Sequence, residues 1–180
     1  MAEFQADQSV LDIGCGVGTT AIEIASRFGC RVTALDIDKL MLEYARNNIR
    51  RSAVADRITL KQGDIQALPF SDGAFDIVTI EAVSMFTRDQ LTSIQEAARV
   101  CRPGGYLFDH EFVWVKPPPV NLRHIFDSLV CPGMSFETER EWAELYSSAG
   151  QIDIRAVPVP FNLLTPGGML RDEGVMGTAI

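Results

Sequence analysis

Short apolar runs and amphipathic stretches alternate along this chain. "SVLDIG" (9–14) has the pattern of a buried strand. "TTAIEIASRF" (19–28) reads as a helix, and Gly29 stands where it should stop. "CRVTALDI" (30–37) predicts a second strand. Asp38 is placed to cap the next helix, "KLMLEYARNNIRR" (39–51), in which Met41, Ala45 and Asn48/Ile49 recur at helical spacing. "DRITLKQGD" (56–64) predicts a third strand, and "QALPFSDGAF" (66–75) is a loop rich in turn formers. "FDIVTIE" (75–81) is a fourth strand, apolar enough to be buried on both faces. Thr87 and Gln90 have capping-box spacing ahead of Leu91, Ile94, Ala98 and Cys101, and "RPGG" (102–105) breaks that helix. "YLFDHEFVWV" (106–115) is the fifth strand. "KPPPV" (116–120) is stiff and not helical. "NLRHIFDSLV" (121–130) predicts a short helix stopped by "CPG". Thr138 and Glu141 form a second capping box before Trp142, Leu145 and Ala149, with Gly150 as the stop. "QIDIRAVPV" (151–159) is a sixth strand, and "VMGTAI" (175–180) is a candidate for a last one.

Strands alternating with helices predict an α/β fold: a doubly wound, mostly parallel sheet with helices on both faces. Its ligands sit outside the carboxyl ends of the strands. A length of 180 residues fits a single domain, 1–180. The formal net charge is -8 and there is no Lys/Arg run, which argues against nucleic acid as a partner. No apolar stretch approaches the ~20 residues of a membrane span, so membrane insertion is not expected. "MAEFQADQ" carries no signal-peptide pattern. The 4 cysteines form no CxxC pair and read as buried free thiols, so the expected location is cytoplasmic.

The chemistry concentrates at predicted strand ends. "VLDIGCGVGTT" (10–20) puts Gly14, Gly16 and Gly18 between a strand and a helix. Glycines there let backbone approach a ligand, and the helix N-terminus favours an anionic group. A tight turn with no ligand would use the same residues. The spacing departs from the dinucleotide fingerprint G-x-G-x-x-G, and Asp12 precedes the first glycine. Asp36 ends the second strand, where a carboxylate can accept both ribose hydroxyls; a helix-capping role falls better to Asp38. Asp64 and Ile65 follow the third strand, where they could meet an adenine edge.

With these residues in view, the chain resembles a class I S-adenosylmethionine-dependent methyltransferase. Within that superfamily it is most similar to the small-molecule branch that includes ubiquinone/menaquinone-biosynthesis C-methyltransferases. "VLDIGCGVGTTAIEIA", "VTALDID", "GDIQALPFSDGAFDIVTIEAV" and "EAARVCRPGGYLF" carry the likeness. It implies a Rossmann-like sheet of order 3-2-1-4-5-7-6. It also implies a cofactor-binding core at 9–112, an insert near the acceptor at 113–134, and a C-terminal helix, strand and tail at 135–180. The implied cofactor is S-adenosyl-L-methionine. Asp12, Gly14, Gly16 and Gly18 would surround its methionine moiety, with Glu81 and Ala82 beside it. Asp36 would bind the ribose, Ile37 would pack on the adenine, and Asp64 and Ile65 would read its edge. A sulfonium carrying an ammonium group suits a carboxylate-lined cleft. Alternatives are a non-catalytic S-adenosylmethionine-binding module acting through a partner, an NAD-dependent oxidoreductase, and a related transferase of other chemistry such as aminopropyl transfer.

Methyl transfer is an in-line displacement in which the protein mainly binds and orients. A general base is needed only where the acceptor must lose a proton. His110, in "DHE" (109–111), is the catalytic candidate, with a partly buried structural histidine as the plainer reading. Alternation turns Asp109 and Glu111 away from His110, so no metal site is expected. His124 reads as a helix-face residue. Ser84, Met85, Phe86, Phe112 and Trp114, with the Pro-rich insert, would line an apolar pocket for a small-molecule acceptor, or would simply complete the core. "AVSMFTRDQ" lacks the histidine that many relatives carry there. Relatives also place one or two helices before the first strand, where this sequence has only "MAEFQADQ". The insert, the tail or a second subunit in a homodimer would have to cover the cofactor, unless the start is truncated. An open site predicts weaker cofactor affinity than a lidded relative.

Overall fold

The computed structural model describes residues 4–130, 132–151 and 153–157. Five strands, β1 (Ser9–Ile13), β2 (Arg31–Asp36), β3 (Ile58–Gln62), β4 (Phe75–Glu81) and β5 (Cys101–His110), pair in parallel in the order β3-β2-β1-β4-β5. This is the first part of the expected order. The expected sixth strand is not formed by residues 151 and 153–157. Its last two positions and "VMGTAI" lie outside the described residues.

Both faces of the sheet are covered, as continuous apolar strands require. Helices α1 (Thr19–Phe28) and α2 (Lys39–Arg51) bury Ala21, Ile24, Leu42, Ala45 and Ile49 against Val10, Val32, Ala34 and Ile77. Helix α3 (Gln90–Val100) buries Ala97 and Val100 on the opposite face, against Leu11, Ile13, Leu35, Val78 and Ile80. Asp38 caps α2 as expected, its side chain accepting from the Leu40 N–H. The cap of α3 is Asp89 and not Thr87. Thr87 is used two residues earlier, closing a 3-10 turn at Ser84–Phe86 by donating to the Ser84 carbonyl.

The fifth strand also differs from expectation. It begins at Cys101, so "RPGG" lies within it, and the register jumps from Phe75↔Cys101 to Ile77↔Tyr106. The Pro-Gly-Gly segment is extruded as a bulge at the strand's start. Beyond His110 the chain leaves the sheet. β6 (Val113–Trp114) pairs in parallel with β7 (Glu137–Thr138), around α4 (Val120–Ile125). The Thr138/Glu141 capping box opens α5 (Glu139–Ser148) as predicted, and α5 packs on α3.

Arg99 on α3 ties the 68–72 loop to that helix. It pairs with Glu96 at 2.6 Å and Asp72 at 2.8 Å, and donates to the carbonyls of Phe70 and Leu68. Arg99→Ala is expected to cost about 1–3 kcal/mol in urea unfolding. A change within experimental error would mean that the loop holds itself.

Candidate functional site

Parallel pairing brings five strand ends to one edge: Ile13, Asp36, Gln62, Glu81 and His110. The glycine turn, Ile37, Asp64 and Ala82 follow directly. Gly14, Gly16 and Gly18 all have positive φ (71, 51 and 84°). At Gly14 a side chain is also excluded sterically, since an added Cβ would lie 2.1 Å from Val83 Cγ2. At Gly16 an added Cβ would meet no atom within 4 Å, so the turn is open on that side. Gly18 is the N-cap of α1 and supplies no side-chain cap, and in the helix's first turn the Ala21 N–H is directed at the Asp12 carboxyl.

Acidic groups surround this turn. Asp12 is only 1% exposed and lies beside Thr79 of β4, whose hydroxyl donates to its Oδ1 at 3.1 Å. Its Oδ2 is buried with no hydrogen-bond partner. Burial pushes the Asp12 carboxyl up to about 7, and the charges of Glu81 and Asp36 push the same way. Asp36 accepts the Gly16 N–H on Oδ2 at 2.8 Å and the Asp38 N–H on Oδ1 at 2.9 Å, fixing the glycine turn to the end of β2. A carboxylate offers about four acceptor positions, so Asp36 keeps capacity for two more donors. The Ile37 side chain is 63% exposed at the same edge. Asp64 accepts the Gln66 N–H and closes a small turn with Ala67. Glu81 accepts the Thr20 hydroxyl at 2.8 Å. Cys15, inside the turn, is buried, and burial pushes its thiol up to about 12, so it is no nucleophile.

Some predicted residues are placed differently. The Ile65 side chain is buried in the core with Leu11 and Val78, leaving only its backbone to offer a ligand. Ser84 and Met85 are fully buried, while Phe86 is exposed. Trp114 packs with Phe126 and Phe136 in a small aromatic cluster at centroid distances of 5.1–6.5 Å. Ser84, Met85 and Trp114 thus complete a core, and of this group Phe86 stays at the surface.

His110 is exposed, not partly buried, with Nδ1 3.7 Å from Glu81 Oε1. Asp109 and Glu111 face the other side of β5, as alternation predicts. Asp109 accepts the Tyr146 hydroxyl of α5, and Glu111 accepts the N–H groups of Val83 and Ser84. Burial pushes Asp109 up to about 8, with the charge of Glu111 adding to it, and raises Glu111 as well. His124 is exposed on α4. The carboxylate of Glu111 is the site feature that local sequence reading missed. Its partners lie 27 and 28 residues away, and no local spacing signals them.

Comparison with known proteins identifies the family. Residues 10–105 match the family model described as "Methyltransferase domain". An uncharacterized protein of Haemophilus influenzae is 32% identical over 97% of this chain and 70% of its own length. The ubiquinone/menaquinone biosynthesis C-methyltransferase UbiE of Roseobacter denitrificans is 37% identical over 72% of this chain and 53% of its own. Among solved structures, the YcgJ protein of Bacillus subtilis superposes with a TM-score of 0.71 at 28% identity, covering 82% of this chain and 63% of that one. The chain thus spans between 53% and 70% of the length of these relatives. No described helix is long and apolar enough to cross a membrane. The chain belongs to the methyltransferase-domain family, among the class I S-adenosylmethionine-dependent methyltransferases of the small-molecule branch.

Proposed function

We propose that this chain binds S-adenosylmethionine at the β1–β4 edge and transfers its methyl group to a small, apolar acceptor. The observation that carries the reading is the buried Asp12 carboxyl, whose Oδ2 makes no hydrogen bond of ordinary geometry, beside an acid-lined turn that is open at Gly16. Buried polar atoms find partners, and three carboxylates within electrostatic reach of one another call for a cation.

When bound, the donor supplies a methyl group already activated on a cationic sulfur. The rest is binding and orientation. In this reading Asp12 and Glu81 face the positive ammonium and sulfonium groups. The uncapped start of α1 and the Gly14–Gly18 turn suit the donor's carboxylate. Asp36 would take the ribose hydroxyls, the exposed Ile37 the adenine face, and Asp64 with the Ile65 backbone its edge. Phe86, exposed one turn beyond Glu81, offers apolar surface to the acceptor. With Nδ1 of His110 turned to Glu81, its Nε2 is free to take a proton from an acceptor that must lose one.

The test is incubation with donor labelled in the methyl group and a panel of small apolar acceptors. Label entering the organic-extractable fraction supports the reading; label only in protein or nucleic acid contradicts it. A second outcome separates binding from folding. Gly16→Ala is expected to cost about 1 kcal/mol of stability, for its left-handed backbone alone. Calorimetry should nevertheless show donor affinity falling at least ~10-fold, because the new methyl enters the ligand's space. Equal affinity would place the ligand elsewhere.

A further inference from the structure

Ala82 is one of only two described non-glycine residues with positive φ, at 52°. Such a conformation costs about 1 kcal/mol and persists only where its surroundings hold it. Here the holding groups come from the end of β5. The Ala82 N–H donates to the His110 carbonyl at 2.9 Å. The next two N–H groups, of Val83 and Ser84, both donate to Glu111 Oε1, at 3.0 and 2.7 Å. Three consecutive backbone donors are thus captured by two consecutive residues. Glu111 acts as a cap supplied from another strand, satisfying N–H groups that the 3-10 turn at Ser84–Phe86 cannot satisfy itself.

The turn so held reaches the donor side of the site. Val83 Cγ2 occupies the space a Gly14 side chain would fill, so the Val83 side chain packs directly on the first residue of the glycine turn. On the other side, the Met85 carbonyl accepts the Ser135 N–H at 2.8 Å, and Gln90 bonds the Ser135 carbonyl. The 82–86 turn therefore links the glycine turn to the segment after the insert, and Glu111 is its anchor. A buried carboxyl oxygen that accepts two adjacent N–H groups is a directional anchor for the turn that carries them.

We propose that Glu111 is a positioning residue for methyl transfer: it holds the 82–86 turn so that Val83 supports Gly14 at the donor's reacting end. The inference rests on the methyl-transfer reading. Glu111 touches neither donor nor acceptor in this assignment and acts through Val83.

The experiment compares wild-type protein with Glu111→Leu, Glu111→Gln and Val83→Ala. Calorimetric affinity for S-adenosylmethionine and amide hydrogen exchange at Val83 and Ser84 are the readouts, with Tm as the control for folding. Leu removes the acceptor, so affinity should fall about 10-fold and both amides should lose protection. Gln keeps an oxygen for both donors, so protection should return and affinity should lie within about 3-fold of wild type. Val83→Ala should weaken binding while both amides stay protected. It reads the same link even where Glu111→Leu folds poorly. Glu111→Leu or Val83→Ala binding as tightly as wild type, in a wild type that does bind, overturns this inference alone. A wild type that binds no donor overturns the methyl-transfer reading and this inference with it.

Discussion

Asp12→Asn is expected to weaken S-adenosylmethionine binding about 100-fold or more, while removing a loss of stability that wild type suffers as pH rises toward about 7. The two effects have one cause. The Asp12 carboxylate is buried, with Oδ2 unpartnered, and its pKa is pushed up to about 7. Its folded value thus lies above its unfolded one, so ionisation opposes folding. The penalty is absent below the unfolded pKa, grows as pH rises toward about 7, and is complete above it. Each unit of such a shift is worth roughly 1.4 kcal/mol, so the full penalty is a few kcal/mol. The variant's Tm relative to wild type should therefore be more favourable near pH 8 than near pH 5. Binding runs the other way. A cationic ligand needs the ionised carboxylate, so wild-type affinity should rise with pH and level off above about 7. Binding below that plateau should release protons, measurable by calorimetry in buffers of different ionisation heat. A variant that binds normally, or wild-type affinity flat across this range, would remove Asp12 from the cation's surroundings.

Asp36→Ala should be as damaging to binding, by a different route. Both Asp36 oxygens already organise backbone, one holding Gly16 and the other Asp38. Removing them frees the glycine turn and deletes the acceptor assigned to the ribose. Loss of several charge-assisted hydrogen bonds at about 1.5–3 kcal/mol each predicts a fall of about 100-fold or more in affinity for donor and demethylated product. Asp36→Asn keeps one oxygen and should fall between. A donor analogue lacking the ribose hydroxyls should bind wild type weakly and lose less than the donor does on Asp36→Ala, since only the turn's share of the effect remains. Equal losses for analogue and donor would mean that Asp36 acts only by shaping the turn.

Local pattern was enough for much of this architecture. Buried strands β1, β2 and β4 are short apolar runs, and the caps at Asp38 and Thr138 follow from local hydrogen bonding that needs no partner element. The glycine turn and Asp36 were legible because strand ends in a parallel sheet must meet at one edge. Where long-range contacts decide, the pattern misled. "RPGG" breaks a helix, yet the sheet takes its residues up as a bulge against Phe75 and Ile77. Asp89 displaces Thr87 as a cap because Thr87 is already closing a turn. The Ile65 side chain packs in the core, which the sequence does not signal, and only its backbone stays available at the strand edge. Glu111 is opaque for the same reason: its meaning lies in two amides on another strand's end.

The most direct test of the central claim is calorimetric titration of the purified protein with S-adenosylmethionine, its demethylated product and NAD. Saturable binding of the first two at one site per chain, with no binding of NAD, is expected. Binding of NAD, or of none of the three, would contradict the assignment of the glycine turn and its acidic neighbours to the methyl donor.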